Sequence, residues 1–303
     1  MLQNFMYVIW SNMELTIFTP TYNRAFSLPR LYKSLCNQTN KNFEWLIVDD
    51  GSSDDTEDIV AEFIKENTIH IKYLRQSNGG KHRAVNLGLK EAAGELFFIV
   101  DSDDWLAKDA AEKIITTYDD IRNLPDFAGV SGLKVYPSGE RIGGENDFGI
   151  IDCTSLDFRY KYNMSGDMAE AFKTDILRNY PFPEYEGENF CPEALVWNRI
   201  AKNYKLRYFY ERIYVCEYLP DGLTAKITKI RHYSPAASCT HYSELSNMPI
   251  PFKQKIKAMI NFWRFHSRKC NNYRYNTNIF LSVPCYLPGK LLKLYDRLNN
   301  KYQ

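Results

Sequence analysis

The first 105 residues alternate short apolar runs with stretches in which apolar residues recur at helical spacing. The strand candidates are LTIFT (15–19), FEWLIV (43–48), IHIKYL (69–74) and ELFFIV (95–100). Helical spacing covers 27–38, 56–67 and 82–93. Near-continuous apolar strands separated by helices are typical of βαβ units, in which helices cover both faces of a parallel sheet. We therefore predict an α/β fold with a mostly parallel central sheet.

The pattern is weaker beyond Trp105. It predicts a helix near 108–122, strands near 127–136 and 206–218, and a polar, glycine-rich connection at 137–149. We expect one α/β domain over 1–227, with halves at 14–105 and 106–227, followed by a helical extension over 228–303.

Charge is distributed unevenly, although the net charge is only +1. Residues 229–303 contain 13 Lys or Arg and only two acids, Glu244 and Asp296, so the preceding body is acidic. In FKQKIKAMINFWRFHSRK, apolar residues fall at helical spacings among the basic ones, as in an amphipathic helix at a membrane interface. We expect the extension to bind an anionic membrane surface; the alternative is a helix packed on the body. A nucleic-acid partner is disfavoured, because the acidic body would repel phosphate.

Composition indicates a globular protein, with 45% hydrophobic and 25% charged residues. No apolar run approaches the ~20 residues that span a bilayer, and the first residues lack the pattern of a signal peptide. The seven cysteines are odd in number and never form a CxxC pair, which favours reduced thiols over disulfides or a zinc site. We expect a cytoplasmic protein, peripheral on the inner face of the cell membrane.

Polar residues follow each of the four predicted strands. The segments are TPTYNR, DDGSSDDT, SNGGKH and DSDDW. In an open α/β sheet, ligands bind beyond the carboxyl ends of the strands, so these segments are expected at one edge. Asp101 and Asp103 are one residue apart and can point to the same side of an extended backbone. They can hold magnesium or manganese together with a substrate's phosphates, although most isolated DxD triplets are solvated turns.

The second and third segments offer groups that suit a nucleotide. Asp50 can accept hydrogen bonds from a base or a ribose, or can cap the next helix, a role that Asp54, Asp55 and Thr56 fit better. The NGGKH segment offers small residues for close approach, followed by the cations Lys81, His82 and Arg83, which suit a diphosphate.

The segments FTPTYNR, VDDGSSDDT, NGGKHRAVNLG and VDSDDW together closely resemble those of family-two glycosyltransferases of the GT-A fold, over about residues 14–225. The resemblance makes 14–105 the nucleotide-binding half and 106–227 the acceptor half. It implies that Asp50 contacts the base, usually uracil, and that Asp101 and Asp103 hold the diphosphate through manganese or magnesium. The other nucleotide-binding residues that it implies are Thr19, Pro20, Tyr22, Arg24, Gly80, Lys81 and Ser102.

Members of this family generally invert the anomeric centre and use a carboxylate to deprotonate the acceptor hydroxyl. The family commonly has Glu-Asp followed, six residues after the second acid, by Arg or Lys. Here Glu193 lies six residues before Arg199 and takes the position of the base, but Pro192 and Glu193 replace the usual pair. Glu186 and Glu188 are rivals, and Glu193 also suits a helix N-terminus.

Further residues have two interpretations each. Asp167 is a candidate for binding an acceptor hydroxyl, His232 and His241 are candidates for a third metal ligand or are structural, and Trp105 stacks on a sugar or caps the core. The resemblance implies a metal-dependent transferase that moves sugar from a UDP donor to a carbohydrate or polyprenyl-linked acceptor, in surface polysaccharide biosynthesis. The alternative is an inactive scaffold that binds sugar nucleotides or glycans. Chain length and the DSDD segment argue against a third class, the phosphoacceptor receiver domains.

Overall fold

The computed structural model describes residues 13–144, 146–217 and 226–299. The strands are β1 (Leu15–Thr21), β2 (Phe43–Asp49), β3 (His70–Arg75), β4 (Leu96–Ile99), β5 (Trp105–Leu106), β6 (Phe127–Val135), β7 (Ile151–Cys153), β8 (Met168–Lys173) and β9 (Lys205–Val215). The helices are α1 (Leu28–Cys36), α2 (Thr56–Glu66), α3 (Lys81–Glu91), α4 (Ala110–Asp119), α5 (Ser155–Tyr160), α6 (Thr174–Arg178), α7 (Glu193–Ile200), α8 (Ile227–Tyr233), α9 (Pro235–Ser246), α10 (Phe252–Phe265) and α11 (Ile279–Leu298), with a 3₁₀ turn at Arg268–Asn272.

All strands belong to one sheet with the order β3-β2-β1-β4-β8-β6-β9-β5, and β7 also pairs with β9. The four strands predicted for the first 105 residues are present, and neighbours among them run parallel. Strand β8 lies antiparallel between β4 and β6, and β5 and β7 lie antiparallel to β9. The predicted α/β fold is therefore present, but the whole sheet is mixed because its second half reverses direction.

Helices cover both faces of the parallel strands. On one face, the ring of Tyr32 in α1 stacks on Phe63 in α2 at 4.1 Å and lies 6.0 Å from Trp45 in β2. On the other face, α3 approaches so closely that a Cβ at Gly88 would come within 2.2 Å of the Phe18 ring. Every residue of β1 and β2 is buried, which explains why most residues in their sequences are apolar.

The chain divides into two compact units. The first comprises the described residues up to Pro181 together with Ile200–Glu217, and the second comprises Phe182–Arg199 together with the described residues from 226 onwards. The extension predicted from 228 thus shares its unit with a segment that the sequence analysis placed in the acceptor half.

The core of the second unit contains the apolar side of α10. Met259 and Phe262 of this helix pack with Cys239, Cys270 and Cys285, and all five are buried. The helix that the sequence marked as amphipathic therefore uses much of its apolar face within the protein. All seven cysteines are free thiols, as predicted.

A buried carboxylate ties three helices of this unit together. Asp296 in α11 accepts hydrogen bonds from Arg264 of α10, at 2.6 Å from Nε and 2.7 Å from Nη2. Its Oδ2 lies 2.9 Å from Nε2 of His232 in α8. Burial acts to raise the pKa of Asp296, but Arg264 and His232 outweigh it and hold the pKa below its usual value.

We expect Asp296→Ala to lower the free energy of unfolding by about 3–5 kcal/mol, because it removes the buried carboxylate that binds both the partly buried Arg264 and the buried His232. Asp175→Ala removes an exposed partner of Arg178 and serves as the control, with an expected change below about 1 kcal/mol. Because the pKa of Asp296 is lowered by folding, its contribution is complete at neutral pH and is lost as pH falls below about 4. Urea unfolding at pH 7 and pH 3 measures both effects; equal losses for the two variants at pH 7 would contradict the assignment.

Candidate functional site

The four polar segments lie at one edge of the sheet, because β1 to β4 are parallel and end on the same side. Backbone hydrogen bonds continue the pairing into the loops. The N–H of Asp50 donates to Thr21 at 2.8 Å, and the N–H of Gln76 donates to Asp49 at 2.9 Å. The sequence prediction that these segments converge is thus correct for the first unit.

Asp50 binds the loop that follows β3. Its two carboxylate oxygens accept hydrogen bonds from the backbone N–H groups of Gly79 at 2.8 Å and Gly80 at 2.7 Å, and Oδ1 also accepts one from Gln76 Nε2 at 2.7 Å. Gly80 has a φ of 93°, a conformation that residues with a Cβ rarely adopt. Asp50 is buried, so it fixes the turn that precedes Lys81 and the start of α3.

The first and second loops are bound to each other. The N–H of Asn23 donates to Ser52 Oγ at 2.8 Å, and the N–H of Ala25 donates to Asp54 Oδ2 at 3.0 Å. Asp54 also accepts from the hydroxyl of Thr56 at 2.6 Å, where α2 begins as the sequence predicted. These contacts fix the loop that carries Tyr22 and Arg24.

Asp101 and Asp103 lie on the turn after β4, each beside a cation. Lys81 Nζ is 2.5 Å from Asp101 Oδ1, and Arg24 Nη2 is 3.9 Å from Asp103 Oδ2. Burial acts to raise the pKa of Asp101, but the charges of Lys81 and Lys134 outweigh it and lower the pKa. Burial and the neighbouring Asp101 raise the pKa of Asp103. The turn thus holds two carboxylates whose mutual repulsion is only partly offset by protein cations.

A third acid of the same turn was not predicted as a site residue. Asp104 is buried, accepts a hydrogen bond from the Tyr214 hydroxyl at 2.6 Å, and accepts another from the Glu217 N–H at 3.2 Å. The Tyr214 hydroxyl in turn accepts from the N–H of Asp101 at 3.0 Å. Burial and the charges of Asp101 and Asp103 raise the pKa of Asp104 to about 7. Asp104 therefore anchors the turn to β9, more than 100 residues away in sequence.

The other predicted residues of this edge differ in exposure. Thr19 is fully buried, and its hydroxyl accepts a hydrogen bond from the Trp45 indole N–H at 2.9 Å. Pro20 and Ser102 are also buried, whereas Tyr22 is exposed. The Arg30 guanidinium lies over the Trp105 ring at 4.0 Å. That contact already occupies a face of the ring, which supports a structural role for Trp105.

The candidate bases lie in the second unit, and their surroundings differ. Glu188 is buried, and its oxygens accept hydrogen bonds from the N–H groups of Ala236 at 2.7 Å and Ala237 at 2.9 Å, at the first turn of α9. Burial raises the pKa of Glu188, although both hydrogen bonds act against that rise. Glu193 begins α7 and is only partly buried. The contacts of Glu188 are those of a cap at the start of α9.

The remaining candidates have simple placements. Arg199, at the end of α7, forms a bidentate ion pair with Glu244 of α9 at 2.6 and 2.9 Å. His232 is bonded to Asp296, and His241 is buried, which lowers its pKa to about 3. Glu186 and Asp167 are exposed and belong to different units. A structural role accounts for both histidines.

The sequence of the first unit matches a family model named Glycosyl transferase family 2 over residues 16–139. These residues form a family 2 glycosyl transferase domain. The match contains all four loops and the three acids of the turn after β4, Asp101, Asp103 and Asp104. The resemblance to family-two glycosyltransferases that the loop motifs indicated is therefore confirmed.

Two curated proteins illustrate the relatives of this chain. A GalNAc(5)-diNAcBac-PP-undecaprenol beta-1,3-glucosyltransferase of Campylobacter jejuni is 29% identical over 65% of this chain and 62% of its own length. A poly(ribitol-phosphate) beta-N-acetylglucosaminyltransferase, TarS, of Staphylococcus aureus is 34% identical over 65% of this chain and 35% of its own length. The chain therefore spans less than two thirds of either relative.

Solved structures extend the likeness beyond the matched domain. Residues 1–349 of S. aureus TarS, in complex with UDP-GlcNAc, superpose with a TM-score of 0.61 at 18% identity, covering 94% of this chain and 92% of that one. A mannosyltransferase of Pyrobaculum calidifontis, in complex with GDP-Man and Mn²⁺, gives a TM-score of 0.55 at 16% identity, covering 98% and 94%. At these identities the superpositions show the fold, and they confirm the predicted GT-A architecture.

Proposed function

We propose that this chain is an inverting glycosyltransferase that moves a sugar from a UDP donor to a carbohydrate or polyprenyl-linked acceptor, in surface polysaccharide biosynthesis. The observation that supports the proposal is the edge of the sheet where the four loops of the family 2 domain meet. There Lys81 lies beside Asp101, and Arg24 lies beside Asp103. The relatives support the substrate classes, since one is named for an undecaprenol-linked glycan and another was solved with UDP-GlcNAc. The seven free cysteines suit a reducing compartment, which supports the cytoplasm as its location.

The donor set suits magnesium or manganese. Among the described residues, no group of three or more His, Cys, Asp or Glu is placed to hold a metal ion. Asp101 and Asp103 remain as two hard oxygen donors, with side chains 34% and 22% exposed. A hard cation bound by one or two carboxylates takes its remaining ligands from water and substrate phosphates. Bound there, it would supply a Lewis acid for the departing nucleoside diphosphate.

The protein groups would act on the donor by position and charge. Asp50 fixes the backbone of Gly79 and Gly80 and thereby places Lys81 at the edge of the sheet. The Lys81 ammonium forms an ion pair with Asp101 in this structure, and its positive charge would stabilise the negative charge that develops on a leaving diphosphate. Displacement with inversion also needs a base for the acceptor hydroxyl, the role that we assign to Glu193.

A second candidate is a scaffold that binds sugar nucleotides without transferring sugar. The observation that favours it is the Pro192–Glu193 pair, which replaces the acidic pair usual in the family. Both candidates require the donor site, and they differ only in turnover.

The first experiment is a thermal-shift series with UDP, GDP and ADP, each with and without manganese. We expect UDP with manganese to stabilise the full chain by about 2.7 kcal/mol at a concentration 100 times its dissociation constant. UDP without metal should shift the melting temperature much less, because the negative charges of the two carboxylates and the diphosphate are then offset only by protein cations. If no nucleoside diphosphate shifts the melting temperature with or without manganese, both candidates lose their basis.

A further inference from the structure

The last helix, α11, exposes its large apolar residues and buries its small and polar ones. Its buried residues are Ser282, Cys285, Gly289 and Asp296. The large apolar residues that form a stripe along the exposed side are Phe280, Val283, Leu287, Leu291, Leu294 and Leu298. They recur every three or four positions, so they share one face of the helix. Phe280 is 86% exposed and Leu298 is 74% exposed. We call this stripe the outer face of α11.

The orientation of α11 is fixed by specific contacts on the side opposite the outer face. The Trp263 indole N–H donates to the carbonyl of Ser282 at 2.9 Å. A Cβ at Gly289 would lie 2.4 Å from Cβ of Trp263, so the two helices meet closely there. Lys293 donates to the carbonyl of His266 at 2.6 Å, and the Asp296 carboxylate binds Arg264. The rotation of α11 is therefore fixed with its outer face away from α10.

The chain segment that contains the outer face is strongly basic. Of the two acids among residues 229–303, Asp296 is bound by Arg264 and Glu244 is bound by Arg199. The 13 Lys and Arg of the same segment include Lys290 and Arg297 on α11 itself. An apolar helix face on a helix that also carries Lys290 and Arg297 is complementary to anionic headgroups above acyl chains.

We propose that the outer face of α11 docks on an anionic lipid surface, with the helix lying in the plane of the interface. At 1.5 Å per residue the helix is about 30 Å long, and six large side chains can enter the headgroup boundary along it. No helix among the described residues is long and apolar enough to cross a bilayer, so the contact is peripheral. The sequence placed the membrane contact in the extension over 228–303, where the α10 segment has an amphipathic pattern; we assign it to α11 within that extension. This inference does not rest on the proposed activity.

The test is co-sedimentation of the full chain with vesicles of phosphatidylglycerol and, separately, of phosphatidylcholine. We expect binding to the anionic vesicles, and a loss of roughly tenfold or more in partitioning for Phe280→Ser/Leu287→Ser, which removes two large apolar groups from the interface. Ile64→Ser/Ile150→Ser is the matched control, because both residues are exposed apolar residues of the first unit, and it should partition like the unchanged chain. Melting temperatures verify that both variants are folded.

Three outcomes would overturn the proposal. They are equal binding of the α11 variant and the unchanged chain, absence of binding to anionic vesicles, and equal binding to both lipids. Sedimentation equilibrium distinguishes the other occupant of an apolar face, a second copy of the chain. If Phe280→Ser/Leu287→Ser converts a dimer to a monomer and leaves vesicle binding unchanged, the outer face is a subunit interface.

Discussion

Asp103→Asn is expected to reduce sugar transfer from a UDP-sugar at least ~100-fold while leaving the fold intact. The amide would weaken the binding of the cation that stabilises the leaving diphosphate, and loss of one such preorganised electrostatic contact typically lowers the rate by two to three orders of magnitude. The side chain contacts Arg24 only at 3.9 Å, so the amide removes little that stabilises the protein. Burial and Asp101 raise the pKa of Asp103, which means that its charge is unfavourable in the folded protein without a cation. The melting temperature without ligand should therefore stay constant or rise.

The measurement is a rate of UDP release with and without acceptor, combined with the UDP thermal shift. Asp58→Asn is the control, because it replaces an exposed acid in the first turn of α2 and should leave the rate and the shift unchanged. In Asp103→Asn, the manganese-dependent shift with UDP should be lost together with the rate. A variant that keeps full transfer activity would contradict the role of this turn.

The first half of the fold could be predicted because its strands carry their own signal. Strands β1 and β2 are buried on both faces, so most of their residues are apolar, and their limits differ from the prediction by only one or two residues. Strand β8 was not predicted, although it lies between β4 and β6. Its sequence, MAEAFK, contains residues with low strand propensity, and only its pairing with both neighbours makes it a strand.

In the site, too, residues marked by their neighbours in sequence could be predicted, whereas contacts between residues far apart in sequence could not. Asp101 and Asp103 were found because the acids directly follow an apolar strand. The hydrogen bond from Tyr214 to Asp104 joins residues 110 positions apart, and no local pattern indicates it. In α11, Pro284 and Pro288 interrupt a helical pattern in sequence, yet the helix runs through both. Which face of α11 is exposed depends on its packing against α10, which hydrophobic periodicity alone would assign the wrong way round.

Glu193→Gln is expected to lower the transfer rate by ~10²–10⁴-fold without changing the UDP thermal shift. The amide keeps the size of the side chain but cannot accept a proton, and general base catalysis contributes a factor of that order. Glu188→Gln is the matched comparison, because it removes the charge of the rival acid. Both oxygens of Glu188 accept hydrogen bonds from the N–H groups of Ala236 and Ala237 at the start of α9. The glutamine amide has only one oxygen acceptor, so one of these hydrogen bonds is lost, and the free energy of unfolding should fall by about 1–3 kcal/mol.

The two variants therefore separate a base from a helix cap. If Glu193 is the base, Glu193→Gln loses turnover at full stability, and Glu188→Gln loses stability while the remaining folded protein turns over. The reverse result would assign the base to Glu188, whose buried carboxyl has a raised pKa. If the unchanged chain binds UDP with manganese but transfers no sugar to any acceptor tested, and Glu193→Gln changes nothing, the scaffold is the better description. The Pro192–Glu193 pair would then mark the loss of the base from a family 2 domain that still binds its nucleotide.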